Sequence, residues 1–249
     1  MPEGTSSSEL LREESTTVPP ADAHAEPGTG PAPRAGTGAG KTRDPQLTDE
    51  LHAFLAREIS GAPRTTAGWG PATTAAGLFQ LVPVRLERDL AVISRWMNDP
   101  AVAAFWELAG AETVTADHLR SQLDGDGRSL PCLGVLSGVP MSYWEIYRAD
   151  LDPLARHYPA RPHDTGIHLL LGEADDRGRG VGATLLRAAC DLVLDNRPLC
   201  TRVVAEPDLR NTPSVSAFLN AGFRFSAEVE LPQKRAALMI RDRAHRALL

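Results

Sequence analysis

Cysteine is scarce in this chain. Cys132, Cys190 and Cys200 are the only three among 249 residues, too few and too odd in number for a disulfide scaffold. Positive charge is also short: 26 Lys and Arg face 32 Asp and Glu, for a net charge of -6. A chain that grips nucleic acid through its phosphates needs a basic face, so nucleic acid is not the expected partner. Long apolar runs are missing as well. No stretch approaches the ~20 residues of a membrane span, and the opening MPEGTSSSELLREES holds no apolar run of signal-peptide length. These absences lead us to expect a cytoplasmic protein without a membrane span.

The first 47 residues have almost nothing to bury. Their Pro, Gly, Ala, Ser and Thr cannot offset the entropy of ordering, so residues 1–47 are expected to be a disordered extension. Within them Gly36-Thr-Gly-Ala-Gly40-Lys41-Thr42 imitates a phosphate-binding loop. Such a loop works only between a buried strand and a helix, and prolines surround this one. Residues 48–76 follow as a short helix, with Leu51, Phe54, Leu55 and Ile59 on one face, and then a linker. The folded domain is expected over residues 77–249.

Apolar periodicity there predicts a strand at 79–86, helices at 87–98 and 115–123, and a hairpin of strands 131–136 and 141–147 about Ser137-Gly138. A Pro-containing connection spans 150–163. A buried strand at 166–171, a long helix at 180–194, a strand at 201–205, a helix at 213–220 and strands at 223–230 and 236–241 complete it. The alternation is that of an α/β layered domain with a central mixed sheet of about seven strands flanked by helices.

The strand Ile167–Leu171 runs into Arg177-Gly178-Arg179-Gly180-Val181-Gly182, where a helix begins. Glycines let several backbone N–H groups point outward together, and a helix N-terminus adds partial positive charge. That combination suits a pyrophosphate, with Arg177 and Arg179 as charge-assisted donors. A glycine-rich surface turn with solvated arginines is the alternative.

The turn resembles the Arg/Gln-x-x-Gly-x-Gly/Ala element of the GNAT acetyltransferase superfamily. The flanking strand and helix, and the later Ala221-Gly222-Phe223, sit in matching order. A narrower resemblance, to the siderophore-biosynthesis N-acyltransferases, rests on Trp96-Met-Asn-Asp-Pro100 with Phe105-Trp106, and on Tyr143-Trp-Glu145-Ile-Tyr147. It rests further on Asp164-Thr-Gly166-Ile-His168, Glu206-Pro-Asp208-Leu-Arg-Asn211 and Leu231-Pro-Gln-Lys234. The resemblance implies a GNAT-type fold and an acyl-CoA co-substrate, acetyl-CoA or succinyl-CoA, with no metal. Its pyrophosphate would lie on the turn's amides and its pantetheine arm where two central strands splay, with Asn211 helping to hold it. The implied acceptor is the amine or hydroxylamine of a lysine- or cadaverine-type precursor, and an acyl carrier protein is a second possible donor.

His168 sits in an otherwise apolar strand, opposite in facing to Ile167, Leu169 and Leu171. Asp208 follows the next strand, so the two are expected at neighbouring strand ends as a base and its orienting partner. The resemblance assigns catalysis to both positions, and Glu206 competes for the carboxylate role. A backbone N–H near Leu170 or Leu171 is the expected oxyanion donor. Trp106, Tyr143, Glu145, Tyr147, His157 and Lys234 are candidates for the acceptor pocket. Packing aromatics and a solvated carboxylate are the alternative there. The cysteines read as structural. Two other functions fit the same fold: an acetyltransferase for an antibiotic or protein amine, and a non-catalytic acyl-CoA sensor.

Overall fold

The computed structural model describes residues 68–248. The expected extension at 1–47, its phosphate-loop mimic and the helix near 48–59 lie outside the described residues. An eight-stranded mixed sheet forms the centre, in the order β1-β2-β3-β4-β5-β6-β8-β7. The strands are β1 (Ala72–Thr74), β2 (Gly77–Pro83), β3 (Ser129–Leu136), β4 (Val139–Arg148), β5 (Thr165–Leu171), β6 (Arg202–Ala205), β7 (Arg224–Glu230) and β8 (Arg235–Asp242). The helices are α1 (Leu86–Met97), α2 (Pro100–Trp106), α3 (Glu112–Leu123), α4 (Val181–Asn196) and α5 (Thr212–Asn220). Among the described residues no helix is long and apolar enough to cross a membrane.

Each strand's alternation sends its apolar residues to two layers. On one face Trp144, Ile146, Ile167, Val203 and Met239 pack under α4 and α5, against Leu185, Leu186, Ala189 and Phe218. On the other, Val82, Leu133, Tyr143 and Leu170 pack under α1 to α3, against Ile93, Trp96, Met97 and Leu119. The split of β5, with Ile167 and Leu170 in different cores, follows the facing read from the sequence.

Two elements differ from expectation. Residues 69–76 are no linker: β1 pairs with β2 in a hairpin, and Trp69 and Ala72 pack against the α4-side core. Three strand residues are too few for a visible alternation. Helix α2 was masked by Asn98-Asp99-Pro100, which reads as a stop. The stop is real for α1, but Asp99 also caps the next helix, its side chain accepting from the Ala101 N–H, and Pro100 fills the first turn.

The sheet opens at its centre. Strands β5 and β6 run parallel and pair only at Thr165–Val203 and Gly166–Val204. Beyond Gly166 the β6 side of β5 has no partner strand. The Gly172 N–H donates to Met141 O on β4 (2.8 Å). By the two-residue period of a strand, Leu170 and His168 also turn their amides toward β4, while Leu171 and Leu169 turn theirs into the opening. The Leu171 carbonyl, on that open side, is taken by Arg177.

Candidate active site

A cleft of about 350 Å³ passes through this opening. Ile167, Leu169, Ala205 and Phe218 line it from one layer, Trp106, His118 and His168 from the other, and Asn211 and Lys234 lie at its rim. Three charged groups form its central wall. Glu145 and His168 are direct cross-strand partners on β4 and β5, and His168 Nδ1 lies 2.9 Å from Glu145 Oε2. His168 Nε2 lies 2.5 Å from Oε1 of Glu206, just past β6. A neutral imidazole donates only one hydrogen bond, whereas these two nitrogens face two carboxylates, which when ionised can accept but not donate. The arrangement therefore suits an imidazolium. Burial alone would lower the His168 pKa, but the charges and hydrogen bonds of Glu206 and Glu145 outweigh it and raise it to about 10.

Both carboxylates are held ionised. Burial would raise Glu206, yet the His168 charge and hydrogen bond, with Lys234 at 3.7 Å, bring it down to about 2. Glu145 is likewise pushed up by burial and pulled well below the carboxylate range by His118 and His168. Its Oε1 accepts from His118 Nε2 (2.6 Å), Gln122 Nε2 (2.7 Å) and the Tyr143 hydroxyl (3.0 Å). Ser129 in turn donates to Gln122 Oε1 at 2.6 Å. The Tyr147 hydroxyl donates to Glu206 Oε2 at 2.9 Å. Its ring reaches there by lying on Gly166, where a Cβ would meet ring carbons at 2.1 Å.

The structure revises several expected roles. His168 does not pair with Asp208. The Asp208 carboxylate is taken by the Arg210 side chain (2.7 Å) and the Arg210 N–H (2.7 Å), which lower its pKa. The physical reason is local. Residues 207 to 209 leave β6 and bond to the 235–237 end of β8, which carries Asp208 along the cleft wall while Glu206 stays over His168. Tyr143 is fully buried and donates to Glu145, which pairs with His168 and also lines the cleft. His157 is exposed and lines neither cavity beside the cluster. Leu170 spends its amide on the β4 side, which leaves Leu171 as the expected oxyanion donor facing the opening. Trp106 stands edge-on to Tyr143 and to His168, at 5.5 and 6.1 Å between ring centres, and lines the cleft. Lys234 and Asn211 also line it, the latter capping α5 with its side chain on the Ser214 N–H.

At the glycine turn, Gly178 and Gly180 have φ of 70° and 78°, the left-handed region that glycine enters freely. Gly180 caps α4 without a side-chain bond, and helix geometry leaves the N–H groups of Val181, Gly182 and Ala183 without intrahelical acceptors. Free N–H groups at a helix start suit an anion. Arg177 does not point there. Its guanidinium closes the end of β5, donating to Leu171 O (3.1 Å) and Gly172 O (2.7 Å), and pairs with Asp99 at 2.8 Å. Arg179 stays exposed, with one long bond to Asp175 O.

His118 and Gln122 went unseen in the sequence. Their i, i+4 spacing on α3, on the face that carries Leu119, is the signal that was available.

A sheet opened between two parallel strands, an anion cradle on the helix that follows, and a charged cluster at the opening define an acyl-transfer fold of the GNAT type. The acetyltransferase (GNAT) domain family matches residues 85–231, and the chain belongs to it. The chain is 37% identical over 157 residues to N(6)-hydroxylysine O-acetyltransferase of Escherichia coli, a match covering 63% of this chain and 50% of that protein. It is 34% identical over 196 residues to the lysine N-acyltransferase MbtK of a Mycobacterium species (strain MCS), covering 78% and 80%. A solved aminoglycoside acetyltransferase, AAC(6')-Ib in complex with coenzyme A, superposes with a TM-score of 0.60 at 27% identity, covering 67% of this chain and 95% of that one.

Proposed function

We propose that this chain is an N-acyltransferase that moves an acyl group from acyl-CoA to the amine or hydroxylamine of a lysine- or cadaverine-type siderophore precursor, in the cytoplasm. The observation that carries the reading is the cleft through the β5–β6 opening with His168 and Glu206 on its wall. The relatives' names supply the substrate class, and the anion cradle at α4 suits the pyrophosphate of coenzyme A better than the bulk of a carrier protein.

The acceptor nitrogen attacks the thioester carbonyl within the cleft. The new C–N bond forms, the oxyanion lies toward the Leu171 amide, and the C–S bond breaks. In the resting state His168 already carries its proton, so it does not act as an empty base. Glu206 receives the proton from nitrogen, His168 and Glu145 spread the charge, and the departing thiolate takes that proton up from Glu206. This suits a hydroxylamine, which is mostly neutral near pH 7, better than a lysine ammonium, which must first be deprotonated. Trp106 and Lys234 border the acceptor, and Asp208 holds Arg210 beside it.

A mass-spectrometric screen with acetyl-CoA and succinyl-CoA tests the reading. Products are expected with N6-hydroxylysine or N-hydroxycadaverine, more slowly with lysine. Turnover of none of the three, with transfer to kanamycin instead, would replace it by the aminoglycoside reading that the AAC(6')-Ib likeness supports.

A further inference from the structure

The chain carries two lysines, Lys41 and Lys234, among 26 basic residues. Lys234, the one lysine among the described residues, lines the cleft. The turn joining β7 to β8 fixes its backbone: the Leu231 N–H donates to Lys234 O (2.9 Å) and the Lys234 N–H donates to Leu231 O (3.3 Å). Its Nζ stands 3.7 Å from Glu206 Oε1, the same oxygen that meets His168 Nε2. Among the described residues this is its one ion pair, and no shorter bond ties the ammonium down. Neighbouring Arg210 and Arg235 are committed to Asp208 and to Glu228 and Glu230. A primary amine thus sits at the carboxylate that receives the acceptor's proton, where an incoming amine would stand.

We propose that Lys234 is an internal acyl acceptor: when no small amine is bound, the enzyme acylates its own Lys234 Nζ from acyl-CoA. The inference rests on the acyl-transfer reading above. The Lys234 ammonium loses one proton to water, the free Nζ attacks the thioester carbonyl, and Glu206 takes the second proton from the N–H of the adduct. An amide bond forms, the C–S bond breaks, and coenzyme A leaves as the thiol. Of the two protons lost from nitrogen, the first is released to water and the second passes from Glu206 to the departing thiolate. No oxidant or further reactant is needed. The product lacks the positive charge beside Glu206 and fills the acceptor side of the cleft.

The full chain incubated with acetyl-CoA alone, followed by peptide mass mapping, tests this. Lys234 is expected to gain an acetyl group at least tenfold faster than Lys41, which serves as the chemical background. Saturating N6-hydroxylysine should suppress the modification, Glu206→Gln should slow it to background, and Lys234→Arg should abolish the mass shift of the 234 peptide. Acetyl transfer to N6-hydroxylysine is measured alongside. If the hydroxylamine is acylated while Lys234 stays unmodified, or is modified no faster than Lys41, the internal acceptor is wrong and the enzyme reading stands. If neither is acylated, both fall.

Discussion

His168 gains its proton from its neighbours, and that fixes how the cluster responds to substitution. Glu206→Gln removes the stronger charge contact and a proton acceptor together, so kcat is expected to fall by at least about 100-fold, within the range of acid–base contributions. Asp208→Asn, which loosens only Arg210, should cost less than about tenfold on the same scale. Steady-state kinetics on both variants decide between the two carboxylates. If Asp208→Asn proves the more damaging, the adjacent-strand pairing expected from sequence regains the role. The pH response of stability follows in sign. The folded pKa of His168 is raised to about 10, so its stabilisation is complete below the unfolded value near 6.5 and is lost as pH climbs toward 10. Glu206, lowered to about 2, stabilises above its unfolded value and loses that as pH falls toward 2. A thermal midpoint that declines above about pH 7 in the wild type, and declines less in His168→Gln, is the expected outcome. His168 was legible because it interrupts an apolar strand. Its partners were harder to read, since Glu206 and Asp208 are two residues apart and only the pairing of 208 with 236 separates their directions.

Single elements place those groups. Tyr147 reaches Glu206 only because Gly166 leaves room on β5. Gly166→Ala would put a Cβ within 2.1 Å of the Tyr147 ring, so the ring must move. The cost is expected at about 1–3 kcal/mol, the usual scale for overpacking, together with a loss of kcat as the hydroxyl leaves Glu206. Denaturant unfolding and kcat measured on one preparation check both parts. The glycine turn separates two arginines that look equivalent in sequence. Arg177→Ala strips the bonds to the β5 carbonyls and Asp99, and should lower stability by about 1–3 kcal/mol. Arg179→Ala should leave stability within about 0.5 kcal/mol while raising the KM for acetyl-CoA severalfold, with the two effects separated by a melt and a titration. Sequence periodicity found the major helices and strands to within a few residues. It passed over α2, where a stop signal doubled as a cap, and could not show that Arg177 folds back, because that depends on carbonyls freed by the parting of β5 and β6.

The opening in the sheet is the feature that no single segment encodes. It needs β5 to pair fully with β4 on one edge and only at Thr165 and Gly166 with β6 on the other, and it needs both outer layers to be held apart and in place. The α4 layer is finished by residues ahead of β2: Trp69 packs on that core and stacks under the Arg197 guanidinium, 5.6 Å away. Residues 69–76 therefore belong to the folded domain, ahead of the expected start at 77. A chain shortened to start at 77 would lose Trp69, Ala72 and the whole of β1, leaving β2 as a bare edge. Burial of an aromatic and one short strand on this core is worth roughly 2–4 kcal/mol. The 77–249 chain is therefore expected to unfold at a clearly lower denaturant midpoint than a 68–249 chain, with weaker binding of acetyl-CoA because α4 carries the anion cradle. Equal midpoints and equal affinity for the two would return residues 68–76 to the role of a linker.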